Sequence, residues 1–342
     1  MDGVDSPEES EREDALSTTT NTNRVLVTGA GGFIGHHLVS DLKRRGHWVR
    51  GVDLKKPEYT PSDADEFALL DLRELQNCLQ ATQGVDTVYA LAADMGGMGF
   101  ISTNHSQIFY NNALINLHTV EAARRNGVKR YLYSSSACVY PEFLQEEATV
   151  TPLREEDAYP AQPQDAYGWE KLMAERVCQH YGEDHGLDIR VARFHNIYGP
   201  LGTWDGGREK VPAALCRKIA VAKFTGNPEI EIWGDGEQTR SFCYIDDCVE
   251  GLRRLIESDH SEPINLGQDR MVTINELADI VAAVAGASIV RKHVEGPMGV
   301  RGRNSDNTTL KRVLGWEPGI TLEEGLGRTY AWIEQQVASQ AD

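Results

Sequence analysis

The sequence predicts an α/β protein in which a doubly wound parallel sheet is joined to a smaller mixed α/β domain. Two observations carry this prediction. Short apolar runs alternate with amphipathic stretches of helical period between residues 24 and 194. A glycine-rich turn also lies at the first junction between a strand and a helix. Both features are typical of a sheet whose strands are linked by helical crossovers.

Six strands are predicted from the apolar runs. They are Arg24–Thr28, Trp48–Asp53, Phe67–Leu72, Val85–Ala93, Lys129–Ser136 and Leu187–Phe194. One helix is predicted around residues 106–126 and another just after Asp165. Ligands of such sheets bind at the carboxyl ends of the strands. Asp53, Ala92 and Ser136 all fall at these ends, so the sequence predicts a crevice there.

The glycine turn spans residues 29–35, with glycines at 29, 32 and 35. Glycines at these positions permit a tight turn, a close approach of the backbone to a pyrophosphate, and close packing of the following helix. Three spaced glycines alone are a weak signal. Their position between a strand and a helix makes them a predicted dinucleotide site.

Two carboxylates extend this predicted site. Asp53 ends the second strand, where a carboxylate accepts from a ribose 2′-hydroxyl and repels a 2′-phosphate. This favours NAD over NADP, although Lys55 and Lys56 leave the choice open. Asp71, at the end of the third predicted strand, is placed to accept from an adenine amine.

Charge and cysteine content exclude other classes of protein. A formal net charge of −18 argues against nucleic-acid or membrane-surface binding, because phosphates would be repelled. The six cysteines form no CxxC pair or Cys/His cluster, so neither a metal site nor a disulfide framework is expected. No apolar run approaches a membrane span, and no signal-like apolar region is found, so we expect a cytoplasmic protein.

The chain divides into three predicted regions. Residues 1–23 are acidic and rich in Ser, Thr and Asn, which predicts a disordered arm. Residues 24–195 contain the strand–helix alternation and form the predicted NAD-binding domain. Turn residues then become frequent, and residues 196–342 are expected to form mainly a substrate-binding domain over the crevice.

Tyr167 and Lys171 lie four residues apart, so on a helix they share one face. An ammonium beside a phenol favours the phenolate, and we therefore expect the pKa of Tyr167 to lie well below its usual value of about 10. Such a phenol exchanges a proton with a sugar hydroxyl while a hydride leaves the same carbon. An ordinary solvated Tyr/Lys pair is the alternative, and the spacing alone does not decide between them.

The motifs become specific when they are taken together. Besides the glycine turn, Asp53 and the Tyr/Lys pair, they are residues 91–101, 135–143, 163–171, 193–204, 207–210, 233–242 and 299–307. In these stretches the sequence resembles the extended short-chain dehydrogenase/reductase superfamily, a group with a Rossmann-type fold that acts on nucleotide sugars. Within it, the resemblance is to the GDP-mannose 3,5-epimerases and covers residues 24–335.

The resemblance implies a reaction without net redox change. NAD would oxidise C4 of the mannosyl ring, with Tyr167 accepting the O4 proton, Lys171 holding the phenol and the nicotinamide ribose, and Ser136 bonded to the C4 oxygen. Cys138 and Lys210 would exchange protons at C3 and C5 from opposite faces of the ring. Return of the hydride would give GDP-L-galactose or GDP-L-gulose from GDP-mannose, and the sequence leaves their ratio open.

The resemblance also completes the list of expected contacts and suggests a homodimer. Expected to contact NAD are Gly29, Gly32, Phe33, Ile34, Gly35, Asp53, Asp71, Ala92, Tyr167 and Lys171. Expected to contact the substrate are Gly96, Ser136, Asn196, Glu209, Lys210, Lys218, Gln238, Arg240, Arg301 and Arg303. The arginines lie in glycine-rich turns of the kind that suit bidentate phosphate contacts.

Several of these residues have structural alternatives. Cys138 is often a packed core thiol at such a position, and Lys210 a solvated lysine at a helix start. Asn196 alternatively caps a turn, and Gly96 alternatively supplies a positive φ. His195 is expected to be structural.

Two other functions remain open at this point. One is a GDP-4-keto-6-deoxymannose epimerase/reductase, which consumes NADPH and is disfavoured by Asp53. The other is a non-catalytic NAD-binding scaffold, which is disfavoured because Tyr167, Lys171, Cys138 and Lys210 are all present.

Overall fold

The computed structural model describes residues 23–297 and 299–341, so residues 1–22 of the predicted acidic arm lie outside the described residues. The strands of the described chain are β1 (Arg24–Thr28), β2 (Trp48–Asp53), β3 (Glu66–Leu69), β4 (Thr87–Ala90), β5 (Arg130–Ser136), β6 (Asp188–Phe194), β7 (Ile197–Tyr198), β8 (Glu229–Trp233), β9 (Thr239–Ser241), β10 (Cys243–Tyr244), β11 (Pro263–Leu266), β12 (Met271–Thr273), β13 (Val290–Val294) and β14 (Gly302–Arg303). The α-helices are α1 (Phe33–Arg44), α2 (Leu75–Thr82), α3 (Met98–Ile101), α4 (His105–Arg125), α5 (Ala166–His185), α6 (Val211–Thr225), α7 (Ile245–Glu257), α8 (Ile274–Ala285), α9 (Thr308–Leu314) and α10 (Leu322–Ala341).

Seven strands form one sheet in the order β11-β6-β5-β4-β1-β2-β3, and every pair in it is parallel. From β1, strands β2 and β3 extend the sheet to one side, and strands β4, β5 and β6 extend it to the other side. The crevice for ligands therefore opens where these directions diverge, beside the carboxyl ends of β1 and β4. The predicted doubly wound parallel α/β fold is confirmed.

The six predicted strands are all present, with shorter bounds for four of them, of which the fifth and sixth lose only their first residue. The third ends at Leu69 and the fourth at Ala90, because the chain leaves the sheet there to line the crevice. The seventh strand, β11, was not predicted, and it pairs with β6 from within the second half of the chain. The division into domains at residue 195 stays a prediction. Strand β11 belongs to the large sheet although it follows residue 195 in the sequence.

Both faces of the sheet are covered by helices, as parallel sheets require. On β1, Val25 and Val27 are buried in one apolar cluster with Leu38 of α1, whereas Leu26 is buried in the opposite cluster with Val120 of α4. Helices α1 and α7 pack together on the first face, and α2, α4 and α5 pack on the second. This alternation along β1 fixes the register of the strand whose end carries the glycine turn.

The second half adds small sheets beside the crevice. Strands β12, β9 and β14 form one sheet, in which Arg240 of β9 is the register partner of Arg303 of β14. A second sheet joins β13 and β8, and helices α6, α8 and α10 pack against one another. The two arginines are thereby held side by side.

Among helices in residues 23–297 and 299–341, none has the length and apolarity needed to cross a membrane. In the same part of the chain, His, Cys, Asp and Glu form no cluster of three suited to a metal ion. All six cysteines are free thiols.

Candidate active site

The glycine turn joins β1 to α1 with little space between them. Gly29 has φ +71°, and a Cβ at Gly35 would lie 2.2 Å from the carbonyl oxygen of Gly29. Phe33 and Ile34 form the first turn of α1, which contains no acidic residue and whose N-cap, Gly32, supplies no side-chain bond. The first amides of α1 are therefore available to an anion, and this cradle fits the pyrophosphate of a dinucleotide.

Asp53 and Asp71, the two carboxylates predicted to contact the nucleosides of NAD, have different partners in the protein. Asp53 is half-buried and accepts from the backbone amides of Gly31 (3.0 Å) and Lys55 (3.2 Å). A carboxylate has further lone pairs, so Asp53 can still accept from ribose hydroxyls. Asp71 is ion-paired with Arg73 over 2.6 Å, and the hydrogen bond from this guanidinium lowers the pKa of Asp71.

Helix α5 carries the Tyr/Lys pair to the end of β5. Its N-cap, Asp165, accepts from the amide of Gly168 over 2.8 Å. A Cβ at Gly168 would lie 2.2 Å from the carbonyl oxygen of Cys138, so glycine allows the helix to approach the loop after β5. Lys171 is 1% exposed, donates to the carbonyl of Ser134 over 2.8 Å, and has its Nζ 5.6 Å from the ring centroid of Tyr167.

The protonation behaviour predicted for Tyr167 is wrong for the protein alone. Burial raises the pKa of Tyr167 well above its usual value, the neighbouring Cys138 raises it further, and a hydrogen bond with Ser136 opposes the shift. Burial also lowers the pKa of Lys171, with Glu170 acting in the opposite direction. Desolvation therefore outweighs the Tyr/Lys attraction, and both groups are shifted toward their neutral forms.

Cys138 lies in a short 3-10 helix (Ala137–Val139) directly after β5. Its amide donates to the hydroxyl of Ser136 over 3.1 Å, and its half-buried thiol accepts from Nη1 of Arg303 over 3.3 Å. Tyr167 packs with Ile101 in an apolar cluster that also contacts Cys138. The thiol is thus at the crevice beside the phenol, rather than in the core.

Lys210 is the residue immediately before α6. Lys210 is exposed, but protein atoms around its ammonium partly desolvate it. This surrounding protein lowers the pKa of Lys210, while Cys138 and Cys248 act to raise it. Cys138 and Lys210 are therefore near enough to influence each other, as an acid and a base that share one substrate must be.

Three predicted substrate residues come together at β9 and β14: Arg240 and Arg303 on the strands, and Gln238 directly before β9. Burial and the adjacent charge of Arg303 lower the pKa of Arg240 to about 9. Two neighbouring guanidinium groups repel each other, so an anion bound between them would be stabilised. Gln238 is buried next to them and donates to the carbonyl of Trp233 over 3.3 Å.

Three other predicted substrate residues are engaged by other protein groups. Arg301 is ion-paired over 2.8 Å with Asp235, which is more than half exposed. Lys218 donates to the carbonyl of Glu231 over 2.6 Å beside a surface cavity between α6 and β8. Glu209 is held by Arg217 over 2.8 Å. These contacts do not bring the three residues to the thiol of Cys138.

The remaining predicted residues are explained by local geometry. Gly96 is buried without a positive φ, and a Cβ there would lie 2.8 Å from the Cβ of Phe100, so space is the reason for glycine. Asn196 has φ +45° and donates to the carbonyl of Ser241 over 2.9 Å. His195 is buried against Asn265, and burial lowers its pKa to about 3, so it is neutral and fits a structural role.

Glu175 was not among the residues predicted from the sequence. It is 1% exposed, accepts from the hydroxyl of Ser135, and forms a buried ion pair with Arg193 at 2.8 Å. Residues 167, 171 and 175 repeat every four positions on α5, and this spacing could have identified Glu175 as a third member of the same helix face. Ser134 was also missed as a partner of Lys171, because it acts through its backbone carbonyl.

The fold and the site together define an NAD-dependent enzyme of the short-chain dehydrogenase/reductase type, with its glycine turn after β1 and its Tyr/Lys helix beside β5. The sequence matches the NAD dependent epimerase/dehydratase family over residues 25–267, and the chain belongs to this family. NAD is its cofactor, in agreement with the fit of the glycine turn.

Known proteins resemble the chain over most of its length. The GDP-mannose 3,5-epimerase of Arabidopsis thaliana is 54% identical over 319 residues, which make up 93% of this chain and 84% of that protein. The structure of Thermotoga maritima UDP-glucose 4-epimerase with UDP-glucose has a TM-score of 0.82 at 27% identity, covering 92% of this chain and 99% of that one. The structure of Thermus thermophilus UDP-glucose 4-epimerase with NAD has a TM-score of 0.79 at 26% identity, covering 91% and 98%.

Proposed function

We propose that this enzyme is a GDP-mannose 3,5-epimerase, which converts GDP-D-mannose to GDP-L-galactose and GDP-L-gulose. The sequence identity of 54% to the Arabidopsis thaliana GDP-mannose 3,5-epimerase, over 93% of the chain, supports the reaction and its substrate. One structural observation carries the assignment to residues. Tyr167 and Cys138 adjoin each other after β5, and the charges of Cys138 and Lys210 influence each other, which supports a site where one sugar ring contacts an oxidation centre and two proton-transfer groups.

The reaction begins and ends at C4. Bound NAD supplies the hydride acceptor for this carbon. Tyr167 takes the O4 proton, and the neighbouring hydroxyl of Ser136 donates to the same oxygen. Lys171 is fixed by the carbonyl of Ser134, with its Nζ 5.6 Å from the ring centroid of Tyr167, and in its charged form it favours the phenolate that accepts the O4 proton. Proton return from Tyr167 to O4 closes the cycle without net redox change.

Epimerisation takes place between these two steps. A ketone at C4 acidifies the C–H bonds of C3 and C5, because each carbanion is delocalised onto the carbonyl oxygen. Inversion needs proton removal on one face of the ring and proton delivery on the other. Cys138 and Lys210 serve as this pair, and the lowered pKa of Lys210 makes the neutral amine more accessible as a base.

Incubation with GDP-mannose in deuterated water tests the reaction. NMR of the recovered sugar should show deuterium at C3 and C5, none at C4, and both epimeric products. Label at C4 would contradict return of the same hydride. A requirement for NADPH with a keto-sugar substrate would instead indicate an epimerase/reductase.

A homodimer is proposed for the assembly. Phe109, Tyr110 and Leu117 on α4 and Trp169 on α5 are at least 36% exposed, and α4 and α5 pack side by side, so a second copy would bury an otherwise solvated apolar face. Light scattering should give twice the chain mass, and Tyr110→Asp should shift the enzyme toward the monomer.

A cytoplasmic location is also proposed, because six free thiols suit a reducing compartment. Cell fractionation with a tagged full-length protein tests it, and a secreted pool would refute it.

A further inference from the structure

Gln145 is a buried polar side chain that the mechanism above does not use. It lies between β5 and α5 and is 1% exposed. Its amide nitrogen donates to the backbone carbonyls of Tyr140 and Pro141, each over 3.1 Å. Its amide oxygen accepts from Nε of Arg303 over 2.5 Å. Every polar atom of the Gln145 side chain is therefore satisfied, and each bond fixes the orientation of the amide.

The same guanidinium of Arg303 contacts the thiol of Cys138. Nε of Arg303 donates to Gln145, and Nη1 donates to Sγ of Cys138 over 3.3 Å. A planar guanidinium has its donors in a rigid fork, so fixing Nε also fixes the direction of Nη1. Gln145 is thus connected to Cys138 through Arg303, although 158 positions separate Gln145 from Arg303 in the sequence.

The backbone reinforces this connection. The carbonyl of Gln145 accepts from the amides of Arg301 (2.9 Å) and Gly302 (3.1 Å). A Cβ at Gly302 would lie 2.3 Å from the carbonyl oxygen of Glu147, so glycine lets β14 approach this loop. The loop after β5, which carries Cys138, and β14, which carries Arg303, therefore meet at Gln145.

We propose that Gln145 is a positioning residue for proton exchange at C3 and C5: through Arg303 it fixes the direction of the Cys138 thiol in the crevice. This inference rests on the function proposed above. Loss of the Gln145 side chain should therefore impair proton exchange at C3 and C5 but not oxidation at C4. Lys171 is held by the carbonyl of Ser134, and Tyr167 packs against Ile101 and Ile108, so oxidation at C4 does not depend on Gln145.

Gln145→Met tests the proposal, because methionine has a similar volume, keeps the backbone bonds and removes all three side-chain bonds. With the full-length enzyme and GDP-mannose in deuterated water, we expect deuterium entry at C3 and C5 to slow by about 100-fold, the effect of displacing a reacting group by about 1 Å. Formation of NADH on adding GDP-mannose should stay within about threefold of wild type. Equal loss of both signals would overturn the proposal.

A double substitution separates positioning from other roles. Lysine has no counterpart of the arginine Nε–H group that donates to Gln145. In an Arg303→Lys background, the further substitution Gln145→Met should therefore slow proton exchange little. An undiminished effect in that background would show that Gln145 does not act through Arg303. Gln145→Glu keeps an oxygen acceptor for Arg303 and is the second variant if methionine prevents folding. Proton exchange at C3 and C5 should be faster in Gln145→Glu than in Gln145→Met. An equal loss of exchange in both variants would count against the proposal.

Thr329→Val is the matched control. Thr329 is fully buried in α10 and donates to the carbonyl of Gly325 over 2.7 Å, so valine also removes a buried side-chain bond. It should leave the ratio of exchange to C4 oxidation unchanged. Wild-type enzyme that incorporates no deuterium at all would refute the proposed function itself, whereas wild-type incorporation with an unaltered Gln145→Met ratio would refute only this inference.

Discussion

Lys171 donates to the backbone carbonyl of Ser134 over 2.8 Å, which ties the helix bearing Tyr167 to the strand that ends at Ser136. Methionine at position 171 keeps most of the side-chain volume but removes this bond and the charge. We expect Lys171→Met to slow NADH formation with GDP-mannose by about 10²–10⁴-fold, the usual contribution of a proton-transfer system. Lys129→Met, at an exposed lysine, is the control and should have no effect.

Cys138→Ser should separate oxidation from epimerisation. Serine keeps the size of the side chain but is a far weaker acid than a thiol, so proton exchange at C3 and C5 should nearly cease. Oxidation at C4 uses Tyr167 and should persist, visible as NADH absorbance on adding GDP-mannose. Loss of the absorbance together with the exchange would mean that Cys138 acts earlier than proposed.

Gly35→Ala should prevent retention of NAD. The added Cβ would lie 2.2 Å from the carbonyl oxygen of Gly29, so α1 must move away from β1 and the pyrophosphate cradle opens. The NAD content of the purified protein measures this change. Gly327→Ala in α10 is the control, because its Cβ would have its nearest contact at 3.8 Å, an ordinary van der Waals distance. Full NAD occupancy in Gly35→Ala would contradict the structure of the turn.

Glu175→Gln should destabilise the fold strongly. Glu175 and Arg193 are each 2% exposed at their side chains and are paired over 2.8 Å, so glutamine would leave a buried guanidinium without its counter-charge. Breaking such a pair costs about 3–5 kcal/mol in free energy of unfolding. Urea denaturation measures the loss. Glu183→Gln lies on the same helix at an exposed side chain and should change stability by less than about 0.5 kcal/mol.

The sequence predicted features that depend on local spacing. The glycine turn and the Tyr167/Lys171 pair are set by residues a few positions apart, and the six predicted strands by short apolar runs. Strand β11 was missed because it begins with proline and contains an asparagine, and because its partner β6 lies about 70 positions earlier.

Properties that depend on the assembled environment could not be predicted. The contact of Arg303 with Cys138 joins residues 165 positions apart. The direction of the Tyr167 pKa shift was wrong for a related reason: the sequence shows the neighbouring ammonium, but the extent of burial, which dominates the shift, appears only once α4, α5 and β5 have packed together.

Stability should depend on pH through Glu121 on α4. Its carboxylate accepts from Arg124 (2.8 Å), Arg125 (2.6 Å) and Tyr181 of α5 (3.1 Å), and the bond from Arg124 contributes most to lowering its pKa to about 2. A lowered carboxyl pKa adds stability that is present above the unfolded value, about 4.5, and is lost as the pH falls toward about 2.

Glu121→Gln removes this contribution. Because the two arginine side chains are more than a third exposed, solvent screening limits the effect to about 1 kcal/mol. Urea denaturation should therefore show a difference from wild type that is constant between pH 7 and 5 and shrinks below pH 4.5. Glu317→Gln, at an exposed pair with Lys311, is the control and should show almost no difference at any pH. A Glu121→Gln difference that stays constant down to pH 3 would mean that the stabilisation does not come from the ionised carboxylate, since protonation would then leave it intact.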